Sequence, residues 1–166
     1  MRNSIMAKTD LDGKIAELVG KTSHKTLVIW ACDCAKRVLP YFEKKYPNDK
    51  RPRLAIEAGR TWVRTGVFRM ADVRQTSLAA HAAAREAENG NPARSAARAA
   101  GQAIAATHVR THSIAAAIYA TTVRRDDAKP ANAALAAKKE RTWQYQHLLD
   151  LRDKHQKPDN IGQLII

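Results

Sequence analysis

The stretch from Leu78 to Thr122 constrains this chain more than any other. It is dense in alanine: of 31 alanines in 166 residues, 27 lie between Ala55 and Ala137. Alanine loses no side-chain entropy on ordering and has the highest intrinsic helix propensity. Its small side chain also lets neighbouring helices approach closely. Three histidines, His81, His108 and His112, stand among these small residues. Leu78-Ala79-Ala80-His81-Ala82-Ala83-Ala84 is echoed loosely by Ile104-Ala105-Ala106-Thr107-His108, and again from His112 through Ala115-Ala116-Ala117 to Tyr119. An imidazole at a close helix contact is either held in the core by a partner or placed there for use.

Glycine is scarce, and no alternating run with β-branched residues reaches strand length. The chain therefore reads as all-α, a single-domain helical bundle of about six or seven helices. Its length suffices for one core. The three Trp, four Tyr and two Phe are the expected anchors of that core. The expected organisation is a polar lead-in over 1–22, the bundle over 23–157 and an apolar tail over 158–166.

Within the lead-in, Asp10 to Leu18 has the pattern of one short helix. Ser23 is placed to cap the next helix, where Leu27, Trp30, Ala31, Cys34, Val38 and Tyr41 recur at core-facing spacing. Pro40 is expected to kink or end it. Asp33 and Arg37 are four apart and predict an ion pair along that helix. A two-proline turn, Tyr46 to Pro52, leads into a helix over about Arg53 to Arg64. There Ile56, Gly59, Trp62 and Val63 face inward, Glu57 and Arg60 are spaced to pair, and Gly66 closes the helix. Gly59, costly in a helix interior, implies a close neighbour. A third helix spans about Arg69 to Glu88, with Leu78, His81, Ala82 and Arg85 on one side, and Asn89-Gly90-Asn91-Pro92 stops it.

From Ala93 to Val123 only Gly101 interrupts the helical pattern. Thirty-one residues is long for a globular helix, so two helices are expected, with a break near Thr107 acting as N-cap and with Arg94 and Arg98 solvated. The second piece is apolar on two faces, which marks it as central. Pro130 suits the first position of a last helix through Leu135 and Trp143 to Leu151, on which Lys138, Lys139 and Arg141 form a basic exposed face. The terminal Leu164-Ile165-Ile166 either docks on the bundle or meets another chain.

The net charge is +13. The segments divided at Pro52 and Val123 carry about +5, +5 and +3, so no tail or block concentrates it. Such a surface suits an anionic partner, and nucleic acid stands as an alternative on charge alone. Cys32 and Cys34, two apart on a helix, point roughly 200° away from each other and do not bridge. That fits a cytoplasmic protein. Met1 to Lys8 lacks the apolar segment of a signal peptide, and no stretch is long and apolar enough for a membrane span.

His108 and His112, four apart, would share a helical face of the kind zinc sites use, with His81, Asp33 or Glu57 as a third ligand. They are the candidates if a metal is bound. The residues between them include no glutamate, so the zinc-protease pattern is absent. No cofactor is expected. A histidine- or metal-dependent enzyme remains a second alternative, and a cysteine nucleophile with one of the histidines is a third. No phosphate loop, dinucleotide fingerprint or zinc finger is present.

Trp30-Ala31-Cys32-Asp33-Cys34-Ala35-Lys36-Arg37-Val38-Leu39-Pro40-Tyr41-Phe42-Glu43 resembles the opening motif of the bacterial immunity proteins of the immunity-five-like group. Four further segments resemble the same group in order: Arg51 to Trp62, Leu78 to Arg85, Ala99 to Ala103, and His108 to His112 with Tyr119. The resemblance covers about residues 24 to 124, and the part from about Asp126 on has no recognised counterpart. It implies a cytoplasmic all-α protein that binds and neutralises the cognate toxin of a polymorphic toxin system by occlusion, without catalysis. Many such proteins are acidic, whereas a chain this basic suits an acidic toxin. The residues expected to line its functional groove are Asp33, Trp62, His81, His108 and His112.

Overall fold

The computed structural model describes residues 6–156. Among these residues seven α-helices follow one another: α1 Asp12–Gly20, α2 His24–Glu43, α3 Arg51–Thr65, α4 Met70–Glu86, α5 Pro92–Ala105, α6 His112–Asp127 and α7 Ala133–Gln156. A short 3-10 turn, Pro130–Asn132, precedes α7, so Pro130 opens that turn rather than the helix itself. The fold is the expected all-α single-domain bundle. The tail residues Leu164, Ile165 and Ile166 lie outside the described residues.

The alanine-dense α5 is the axis of the bundle, packing against α2, α3, α4 and α6. This role was expected of α6, which contacts α2, α5 and α7. The reason is side-chain size. Ala93, Ala96, Ala97, Ala99, Ala100 and Ala103 of α5 are all fully buried, so its neighbours close in from several sides. The large anchors lie around that axis: Trp30 and Phe42 on α2, Ile104 at the end of α5 and Leu148 on α7. Burying each such side chain contributes roughly 1.5–3 kcal/mol.

The helix ends follow the sequence closely. Ser23 Oγ accepts from the Thr26 amide at 3.2 Å, capping α2. Pro40 sits in the last turn of α2, which ends at Glu43. Gly66 takes a left-handed φ of 67° and its amide donates to Trp62 O at 2.8 Å, closing α3. The break between α5 and α6 falls at 106–111, where it was expected, but Thr107 is not the cap. Its hydroxyl is buried and donates back to Ile104 O at 2.7 Å, so it ends α5.

Two expected pairings, and one residue of an expected exposed face, are replaced by contacts between helices. Asp33 pairs with Arg60 of α3 at 2.7 Å and with His147 of α7 at 2.8 Å, not with Arg37. Arg37 instead makes two bonds to Glu140 of α7, at 3.0 and 3.1 Å, with its guanidinium 3.8 Å from the Trp143 ring centre. Arg60 is thereby taken from Glu57. Arg141, expected on an exposed basic face, is 1% exposed. It donates to Asp12 of α1 at 2.7 Å and to Gln144 at 2.9 Å. Gln144 in turn donates to Ala117 O, and Trp30 Nε1 donates to Gln144 O, so a satisfied polar seam ties α1, α2, α6 and α7 together.

Candidate functional site

The three histidines of the alanine-dense region meet at one end of the bundle, in a cleft of about 400 Å³ between α4 and the α5–α6 junction. Each arrives by a different route. His81 lies against α5 because Gly101 opposite it has no side chain. A Cβ there would stand 2.8 Å from its Nε2 and 2.9 Å from its Cε1. One turn earlier on α4, Ser77 Oγ donates to Gly101 O at 3.0 Å, which fixes the two helices in register. His112 is the first residue of α6, and its Nδ1 lies 2.6 Å from Gln102 Oε1. With Gln102 Oε1 as the acceptor, this contact pairs with the Nδ1–H tautomer of His112. His108 precedes the helix, in the junction, so the shared helical face expected for His108 and His112 does not exist. The His108 ring stacks on Phe68, centroids 5.9 Å apart.

Burial, reinforced by Arg98, Arg85 and His112, holds the His81 imidazole below its ordinary pKa. Burial and then His108 act likewise on His112. His81 Nδ1 is buried without a hydrogen-bond partner. Arg74 is the charged residue on the wall, and among the described residues no acid lines the cleft. Among the described residues, no three His, Cys, Asp or Glu side chains gather closely enough to hold a metal ion. Chemically, the cleft offers imidazole nitrogens and one guanidinium to a group that carries negative charge.

Around it stands an apolar collar that the sequence analysis missed. Val67, Phe68, Met70, Leu78 and Val109 are five of the eight large hydrophobics exposed among the described residues. Met70 and Leu78 line the cleft, Phe68 covers His108, Val67 precedes Phe68 and Val109 follows His108. The signal was available in Gly66-Val67-Phe68-Arg69-Met70, an apolar run directly after a helix stop, where a chain has no core to face.

The sequence matches the family described as Imm-5 like putative immunity protein over residues 17–151. The chain belongs to that family. No curated protein and no solved structure matches it. The matched range holds every helix that builds the cleft and most of α7. The part from Asp126 on, for which no counterpart was recognised, is therefore inside the family up to residue 151.

The other candidate residues of this immunity-family protein lie elsewhere. Trp62 stands 5.2 Å from the His24 ring and lines an adjoining groove with Val67 and Val73, the latter shared with the histidine cleft. Asp33 is apart, in the α2–α3–α7 seam. Burial raises its carboxyl pKa, but hydrogen bonds from His147 and Arg60 outweigh this and hold it below the usual value. Cys32 and Cys34 are fully buried. Burial pushes the Cys32 thiol up to about 12 and raises Cys34 as well, which removes the thiolate a nucleophile needs. No described helix is long and apolar enough to cross a membrane.

The lowered imidazole pKa values give a pH signature. The unfolded chain binds more protons than the folded one just below the ordinary histidine value, so stability falls as pH drops through that range. The midpoint of thermal unfolding is expected to be lower at about pH 5.5 than at about pH 7.5. In His81→Gln and His112→Gln the slope is expected to flatten. Asp33 does not contribute to this slope, because a lowered carboxyl loses its contribution only at more acidic pH. An unchanged slope in both variants would show that these imidazoles are not its source.

Proposed function

We propose that this chain is an immunity protein that neutralises a cognate bacterial toxin by binding it, without catalysis, through the histidine cleft and its collar. The toxin presents an acidic surface. The observation that carries this reading is the crowding of exposed large hydrophobics around one cleft. Contiguous apolar surface rimmed by polar groups marks protein interfaces, and aromatic anchors near the centre dominate their energy. Phe68 is the anchor, and Trp62 extends the surface on one side. Arg74 and the net charge of +13 favour an acidic partner and speed its encounter. Family membership supports the role, and the buried thiols, together with the lack of any acid lining the cleft among the described residues, support binding rather than chemistry.

The test is to search the neighbouring genes for a toxin-like C-terminal domain and to co-express any such domain with this chain; absence of such a neighbour would count against the toxin role. The native chain is expected to restore growth. Phe68→Asp combined with Leu78→Asp, two exposed positions, is expected to abolish that rescue while leaving helical content and unfolding midpoint unchanged. Full rescue by the double variant would reject the docking face, and no rescue by the native chain would reject the toxin role.

A further inference from the structure

A second pocket, of about 770 Å³, lies at the far end of α6. It is separated from His112 by the length of that helix, about 24 Å at 1.5 Å per residue. Its wall combines Arg37, Pro40, Tyr41 and Lys44 with Arg124 and Asp127. Two features make it more than a basic patch. First, Arg37 and Arg124 converge on the single buried carboxylate of Glu140. Arg37 grips it with two bonds, and Arg124 Nε stands 3.4 Å from Oε2. Two guanidinium groups thus share the one negative charge of Glu140; Asp127 lies on the same wall, while Lys45, also lining it, is paired with Glu88. Lys44, with no ion-pair partner among the described residues, adds a positive charge. Second, Tyr41 is clamped. Its hydroxyl accepts from Arg124 Nη1 at 3.0 Å and donates to Asp127 Oδ2 at 3.1 Å.

We propose that this pocket binds a mononucleotide. Arg37, Arg124 and Lys44 take the phosphate, since rigid guanidinium forks suit phosphate oxygens and a lysine adds a mobile donor. Pro40 and the Tyr41 ring form the apolar wall for the base. Asp127, the one acid among the described lining residues, accepts from the sugar hydroxyls. The volume lies within the range of small-molecule sites and is far larger than a bare phosphate needs. The site shares no lining residue with the histidine cleft, so it stands whether or not the cleft receives a toxin.

Titration calorimetry of the full chain at low ionic strength tests it, with adenosine monophosphate, adenosine and inorganic phosphate as probes. Adenosine monophosphate is expected to saturate one site, with adenosine and phosphate each at least about tenfold weaker. Lys44→Glu, at an exposed position, is expected to weaken the nucleotide roughly tenfold. Arg124→Lys, which keeps the charge beside Glu140, is expected to weaken it less. Absence of nucleotide binding overturns the proposal. So does phosphate binding as tightly as the nucleotide, or Lys44→Glu binding like the native chain. Binding of a single-stranded oligonucleotide without the mononucleotide also overturns it, because the pocket is then part of a polymer surface.

Discussion

Replacing Asp12 by alanine is expected to remove about 3–5 kcal/mol from the stability of the fold, read as a lower urea midpoint with an unchanged slope. Asp12 lies 129 residues before Arg141, and its Oδ1 accepts from Arg141 Nε at 2.9 Å and Nη2 at 2.7 Å. Arg141 is 1% exposed. Without Asp12 its charge stays buried, with Gln144 Oε1 as the remaining acceptor. Asp12 also holds the start of α1, accepting from the Thr9 amide at 3.0 Å. The loss is a large share of the roughly 5–15 kcal/mol that holds a domain of this kind together. The reverse change, Arg141→Met, is expected to cost less. It removes the buried charge, and Asp12, with 31% of its side chain exposed, can turn to water. Equal costs for the two substitutions would show that desolvation of the arginine is not what Asp12 offsets.

Gly59→Ala is expected to destabilise by about 1–3 kcal/mol, although alanine is the better helix former by roughly 1 kcal/mol. The added Cβ would stand 2.7 Å from Cys32 Sγ. Cys32 is fully buried, so its sulfur has no open space to move into. In a Cys32→Ala background the same substitution is expected to stabilise, because the methyl group then occupies the volume the sulfur left. The sign reversal, measured by thermal unfolding of the four proteins, is the diagnostic result. A penalty that persists in the Cys32→Ala background would place the clash elsewhere. Gly101 differs in kind: its neighbour is the His81 ring at the wall of an open cleft.

Local rules located most of the helices. Ser23, Gly66 and the Asn89–Pro92 turn act through their own backbone neighbours, and the excessive length of the Ala93–Val123 pattern was enough to place a break. What stayed hidden depended on partners distant in sequence. Asp33 and Arg37 are correctly spaced for each other, yet each finds a better-placed partner on another helix. Arg141 read as exposed because nothing near it in sequence reveals Asp12. The three histidines do share a site, but through Gly101, Gln102 and Phe68 rather than through helical periodicity. The collar was hidden for a different reason. Val67, Phe68, Met70, Leu78 and Val109 are the residue types of a core; the run after Gly66 is a partial signal for the first three, while Leu78 and Val109 are placed at the surface only by how the helices pack.

The central helix carries a consequence for how such a chain can change over generations. α5 touches four other helices through side chains one carbon long, and every enlargement there pushes against several elements at once. The collar, by contrast, is built from exposed loop and outer-face positions whose contacts, such as Phe68 on the His108 ring, lie at the surface rather than in the core. Variation is therefore less constrained by packing at the exposed collar than at α5. If the collar is where a partner docks, as proposed, a descendant of this chain would acquire a new recognition specificity without renegotiating its interior.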